Sequence, residues 1–261
     1  MRAAGALLTA GLLLALAPSA NAERGADGDV LGFFDARLNP QLLPRTEPAP
    51  IGVHVAGDFE DESGDSEQLP QLLQIRVAIN RKGRLFDRGL PVCTKRWIEV
   101  ATTADARRAC HRAAIGRGHV DVRVKIAGEP GFPVKAKLLV FNGPRRDGRR
   151  LIYAHAYAPN PPGSFVLTFR ITRRSTGTFG TVLTTALPRR ARKWAYLTHF
   201  DMTLRRTYEY RGRRRSYASA ACAAPAGFSS AVFPFARAAY RFADGTRVQI
   251  PVSRSCRVKG P

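Results

Sequence analysis

The sequence predicts an all-β protein, an antiparallel β-sandwich of about a dozen strands with one short helix. Three observations carry this. Apolar and polar residues alternate with a period of two along most of the chain, which sorts them onto opposite faces of strands. Turn-forming pairs punctuate those runs at short intervals. One stretch alone has helical spacing, and the strand–helix–strand alternation of a parallel sheet is missing.

The chain opens with MRAAGALLTAGLLLALAPSANAERG. Arg2 is a basic start, Ala3 to Ala17 carry no charge, and Ala20-Asn21-Ala22 has the small-x-small form of a cleavage site. Residues 1–22 therefore read as a secretory signal peptide cut before Glu23. The apolar run is shorter than the roughly 20 residues a membrane helix needs, and no later run supplies one. Residues 23–48, punctuated by Pro40, Pro44 and Pro48, read as a flexible lead-in. Residues 49–261 read as the β-sandwich domain, with two β lobes split near 159–163 at PNPPG as the alternative.

Within that domain IGVHVAG and LLQIRVAIN alternate as strands on either side of GDFEDESGDSEQ. That segment holds Asp58, Glu60, Asp61, Glu62, Asp65 and Glu67, and its position between strands makes it a solvated connection. As a calcium loop it has spaced oxygens and Gly64, but not the bidentate Glu at the expected distance. TTADARRACHRAAIG predicts the helix, at about 102–115. Thr102 or Thr103 caps it, Asp105 sits in its first turn, Gly116 ends it, and Ala106, Ala109, Cys110 and Ala113 form its apolar face. Strand patterns then resume from HVDVRVKI to TRVQIPV, with turns at Asp147-Gly148, Arg211-Gly212 and Asp244-Gly245.

Four cysteines follow the leader, and an even count in an exported chain reads as disulfides. Three pairings are possible. Cys93–Cys110 and Cys222–Cys256 are favoured because each closes a local loop. Zinc needs close ligand pairs such as C-x-x-C, and there is none, so no metal site is expected.

Lys and Arg number 42 against 20 Asp and Glu, for a formal charge of +22, and only seven of the basic residues are Lys. GC-rich codons account for part of the Arg bias. The charge itself favours salt-sensitive association with anionic partners. Basic runs occur at GPRRDGRR, ITRR, PRRARK and LRRTYEYRGRRR. In the last, tyrosines interleave with arginines, a combination that holds phosphate and stacks on rings. The candidate binding residues are Arg205, Arg206, Tyr208, Tyr210, Arg211, Arg213, Arg214 and Arg215. Export disfavours nucleic acid as partner and leaves an anionic envelope polymer or a membrane surface.

The catalytic alternative is a secreted hydrolase. His199 and Asp201 stand two apart in LTHFDM and so share a strand face, where a carboxylate can orient a general base. No G-x-S-x-G or H-E-x-x-H supplies a nucleophile or a metal pair. Gly116-Arg117-Gly118 follows a helix rather than opening one, so no nucleotide cofactor is expected. His54, His111, His119 and His155 read as surface or packing residues. A protein-interaction module is the remaining class.

Through GRLFDRGLPVC, ARRACHRAAIGRG, LLVFNG, YAHAY, YEYRGRRRSYASAAC, FADGT and SRSCRV, the chain resembles a recurring set of uncharacterised secreted proteins of high-GC bacteria, from about residue 50 to 258. The resemblance implies export, a β-rich fold and the two cysteine pairs. It implies no reaction and carries over no catalytic or ligand residue.

Overall fold

The computed structural model describes residues 22–259, apart from 65, 67, 127 and 128. The leader expected at 1–22 therefore lies outside the described residues except for its last position, and Asp65 and Glu67 lie outside them too.

β1 (Glu23–Asp27) and β2 (Val30–Asn39) form the first hairpin. Two short bridges, β3 (Leu42–Leu43) and β4 (Ala49–Pro50), lead to β5 (Gly52–Asp61), β6 (Leu72–Asn80) and β7 (Gly83–Leu85). Helix α1 (Thr103–Cys110) precedes β8 (Ala114–Val124). Next come β9 (Phe132–Arg146), β10 (Arg149–Pro159), β11 (Pro162–Arg173) and β12 (Phe179–Ala186), each antiparallel to its predecessor. Helix α2 (Arg189–Trp194) is followed by β13 (Ala195–Leu204), β14 (Thr207–Tyr210), β15 (Arg213–Ser216), β16 (Ala218–Ala220), β17 (Ser230–Phe242) and β18 (Arg247–Val258). Thirteen of these strands make one sheet in the order β1-β2-β5-β13-β8-β9-β10-β11-β12-β6-β17-β18-β3. β4, β16 and β7 make a small second sheet, and β14 pairs with β15 alone.

The architecture is all-β, as the alternation predicts, and the large sheet curls so that its inner face packs on itself like a sandwich. Its two edges meet. Gly25 of β1 stands opposite Gly32 of β2 in the hairpin register. A Cβ on Gly25 would lie 2.8 Å from the carbonyl oxygen of Gln249, and one on Gly32 would lie 3.1 Å from Val248, so glycine at both is what lets β18 approach. The Arg247 backbone N–H donates to Asp27 at 2.6 Å, and the Arg254 guanidinium is held by Glu23 and Asp35. Residues 23–39, expected as flexible lead-in, are thus two strands of the closing seam. Val30, Phe34, Ala36 and Leu38 sit in the core. Asp29 and Gly25 hid that pattern, because a glycine at an approach point reads as a loop residue in sequence.

The acidic stretch also differs from expectation. β5 runs to Asp61, so Asp58 and Glu60 are strand residues. Asp61 is 7% exposed and accepts hydrogen bonds from the Ser63 backbone N–H and hydroxyl.

α1 is capped by Thr102, whose hydroxyl accepts from the Asp105 backbone N–H at 3.2 Å. It stops at Cys110, and a 3-10 turn over His111–Ala113 follows. Gly116 is a strand residue, because pairing of Ala114 with Phe141 of β9 draws the chain into the sheet before the expected helix end. The Cys93–Cys110 bond pins α1 over the outer face of the β9-β10-β11 meander. There Ile98, Ala106 and Ala113 cover Leu139, Phe141, Leu151, Tyr153 and Val166. β10 is consequently buried on both faces. His155 is fully buried under this cover, with Nε2–H donating to the Ala101 carbonyl at 3.0 Å. The second disulfide, Cys222–Cys256, ties the segment after β16 to β18.

In the chain-entropy picture, Cys93→Ala/Cys110→Ala lowers unfolding free energy by about 3 kcal/mol, and Cys222→Ala/Cys256→Ala, which opens the longer loop, by about 4 kcal/mol. Urea unfolding of each double variant measures both losses. His155 has its pKa lowered from the ordinary 6.5 by burial, which the hydrogen bond to Ala101 only partly opposes. As pH falls below that ordinary value the unfolded chain takes up a proton the native site refuses, so stability is lost on acidification. His155→Gln keeps a donor for Ala101 and removes the titration. Its melting temperature is expected to fall less steeply than that of the parent between about pH 6.5 and pH 5.

Candidate anion-binding cleft

Several strand ends converge at one pole of the curled sheet. The β6–β7 turn brings Arg81, β7 brings Arg84, and the segment after β7 brings Asp87 and Arg88. The β9–β10 hairpin brings Arg145, Arg149 and Arg150. The end of β11 brings Arg173 and Arg174, and β15 brings Arg214 and Arg215. They line a cleft of about 1130 Å³ holding ten arginines and one carboxylate. The tight turn at Asp147 and Gly148, both with positive φ, is what folds the two basic pairs of GPRRDGRR back to back.

Asp87 organises the floor of this cleft. Its Oδ1 lies 3.0 Å from Arg150 Nη1, and its Oδ2 lies 3.8 Å from Arg145 Nη2. Arg150 is nearly buried, donates also to the Leu85 carbonyl at 2.9 Å, and keeps a second terminal nitrogen, Nη2, buried with no hydrogen-bond partner. Burial, aided by the charge of Arg150, holds the Arg173 guanidinium below its ordinary range, and the Arg84 and Arg145 charges push the same way against Asp87. The cleft therefore concentrates positive potential that one carboxylate does not neutralise.

Of the eight binding residues expected from sequence, only Arg214 and Arg215 line this cleft. Arg215 stacks its guanidinium 5.4 Å over the Phe86 ring. Tyr208 and Tyr210 are packing residues rather than open stacking surfaces. The Tyr208 hydroxyl lies 3.0 Å from the Phe86 carbonyl and 3.1 Å from that of Arg88. Burial, with the Asp87 charge second, pushes this hydroxyl up to about 12. Tyr210 packs on Phe86 and Gly89, and Arg211 covers its ring at 5.3 Å. Arg205 lies along Gly52, Arg206 reaches the Arg112 carbonyl, and Arg213 sits beside the Arg211-Gly212 turn opposite Tyr210. Five of the other eight cleft arginines lay in the basic runs GPRRDGRR and ITRR, whereas Arg81, Arg84 and Arg88 are spaced singly through NRKGRLFDRG and gave no such signal; four separated segments make the cleft and only the topology joins them.

A second polar cluster occupies the outer face of β5, β13 and β8. A bulge in β13 between Leu197 and His199 decides its composition. Ala195 and Leu197 face inward, and strict alternation would send His199 inward as well. The extra residue instead turns Phe200 and Met202 to the interior and His199, Asp201 and Thr203 outward. His199 and Asp201 share a face as expected, yet they are not each other's partners. His199 Nδ1 meets Asp58 Oδ1 at 2.6 Å. Asp201 faces His54 at 3.3 Å and His119 at 4.0 Å, and His54 Nδ1 lies 3.4 Å from the Thr203 hydroxyl. Among the described residues no group of three or more His, Cys, Asp or Glu is placed to hold a metal ion. Asp58 is engaged with His199 and Asp61 with Ser63, so the described acidic residues do not converge as a calcium loop would require.

Among the described residues no helix is long and apolar enough to cross a membrane, and with two disulfides this is compatible with an extracellular protein. No family model, no curated protein and no solved structure matches this chain.

Asp87→Asn tests the electrostatic account of the cleft. It preserves shape and removes the only carboxylate, leaving Arg150 buried without its counter-charge, a loss of about 3 kcal/mol. Thermal unfolding at low ionic strength is expected to show the drop, and added phosphate to recover part of it. An unchanged melting temperature would mean that Asp87 does not balance the cluster.

Proposed function

We propose that this chain is an exported, non-enzymatic binding module for a phosphate-bearing anionic polymer or surface of the cell envelope, held in the arginine cleft. The observation that carries the reading is ten arginines around one carboxylate in a single concave site. Like charges gathered in one place repel, and an anionic ligand relieves that repulsion through charge-assisted, often bidentate hydrogen bonds. The leader pattern, with Arg2, an apolar run and Ala20-Asn21-Ala22, supports export.

Retention on immobilised inorganic polyphosphate tests this reading. The parent is expected to bind at low salt and to elute as ionic strength rises. Arg84→Ala/Arg173→Ala/Arg215→Ala is expected to bind at least tenfold more weakly, since each lost charge-assisted bond costs about 1.5 kcal/mol or more. Its affinity should also fall less steeply with salt. Arg205→Ala/Arg206→Ala/Arg211→Ala removes the same charge outside the cleft and is expected to lose much less. Equal losses in the two triple variants would remove the assignment to the cleft.

A second reading, hydrolysis at the histidine face, rests on the 2.6 Å contact of His199 with Asp58. Its requirement is an esterase, glycosidase or peptidase activity that His199→Ala abolishes while the melting temperature is retained.

A further inference from the structure

The inside of the curled sheet is not completely filled. A cavity of about 150 Å³ lies at its centre, walled by apolar side chains from most strands of the large sheet, among them Phe34, Val77, Val122, Leu138, Phe169 and Met202. Protein interiors are normally packed to crystal-like density, so a void of this size forfeits contacts on every side. It matches in volume a dry engineered cavity that takes up a benzene-sized hydrocarbon. Its position is informative. Gly83, Arg84, Leu85 and Ser219 line both this cavity and the arginine cleft. The partition between the two is the small sheet of β4, β16 and β7, whose strands are only two or three residues long. Its ladder consists of β16 pairing with β7 over Ala218–Ala220 and with β4 at Ser219 and Ala220. Arg84 is exposed on that partition, with Ser219 half-buried opposite it.

We propose that cleft and cavity are one site, and that its ligand is an anionic amphiphile with a phosphate headgroup on the cleft arginines and an alkyl chain in the cavity. The chain passes the β7–β16 partition beside Arg84 and Ser219, and about six of its carbons fit the cavity. The proposal rests on the anion-binding reading of the cleft and narrows it from any phosphate-bearing partner to a lipid-like one.

The test uses the exported protein labelled with [13C-methyl]methionine. Beyond Met1 of the leader the chain has one methionine, Met202, and it lines the cavity. Inorganic phosphate, then ethyl, butyl and hexyl phosphate, are titrated below any micelle-forming concentration. The dissociation constant is expected to fall about fourfold for each methylene that enters the cavity. The Met202 methyl resonance is expected to shift with hexyl phosphate and not with inorganic phosphate. Arg84→Ala/Arg173→Ala/Arg215→Ala is expected to weaken hexyl phosphate and the Met202 shift together. If phosphate binds but chain length changes neither affinity nor the Met202 resonance, the amphiphile is wrong and the anion cleft stands. If hexanol binds as tightly as hexyl phosphate, the cavity is independent of the cleft and the single-site proposal fails. If no phosphate compound binds, both readings fall.

Discussion

Arg254 reaches from β18 to Glu23 on β1 and Asp35 on β2, and this contact closes the molecule. A thirteen-stranded sheet left open would expose two edges and one apolar face. Here the edges are brought together by the facing glycines Gly25 and Gly32, by the Asp27 hydrogen bond to the Arg247 backbone, and by the Arg254 pairs. Asp35 and the Arg254 side chain are nearly buried, so the ions are held by each other rather than by water. Arg37 also pairs with Asp35, so the seam is a network of two arginines and two carboxylates in which Arg254 alone spans β18 to β1 and β2, which gives it more leverage than an isolated surface ion pair has.

Closure divides the side chains into three environments. The inner face becomes one apolar core with the central cavity. The outer face of β9, β10 and β11 is too apolar for solvent, and the disulfide-pinned α1 segment covers it. The outer face of β5, β13 and β8 stays open and carries the His–Asp ladder. Arginines such as Arg76, Arg123 and Arg237 lie within strands, but the ends of several strands gather at one pole and bring ten arginines together there. The arginine cleft is thus a consequence of topology acting on composition. Asp87, Phe86 and Tyr208 then give it a defined floor and wall.

The proximity of an apolar void to a basic cleft is the feature with the most functional content. Neither alone would separate a polyphosphate from a lipid. Together, across a partition of three very short strands, they favour a ligand with one charged end and one greasy end, and they tie its recognition to the small sheet that the two spaces share.

Much of this was legible in the residues. Period-two alternation identified β5, β6 and β8 because each turns one face to the core, and Asp147-Gly148 marked the β9–β10 turn because Asp and Gly accept the positive φ angles it needs. Thr102 and Asp105 marked the start of α1, and loop length favoured the cysteine pairs that formed. The features encoded between neighbouring residues are strand content, the helix start, the turns, the local cysteine loops and the excess of arginine. Other features depend on contacts between distant segments, and these came from the fold. The fold recruits residues 23–39 into the closing seam and uses a one-residue bulge in β13 to face His199 outward towards Asp58. It also chose which arginines share a cleft, taking Arg84, Arg150, Arg173 and Arg215 from four segments and leaving Arg205 and Arg206 elsewhere. Periodicity and turn chemistry act between neighbours in the chain, whereas register, closure and charge clustering are set by which strands pair, and no local pattern encodes that.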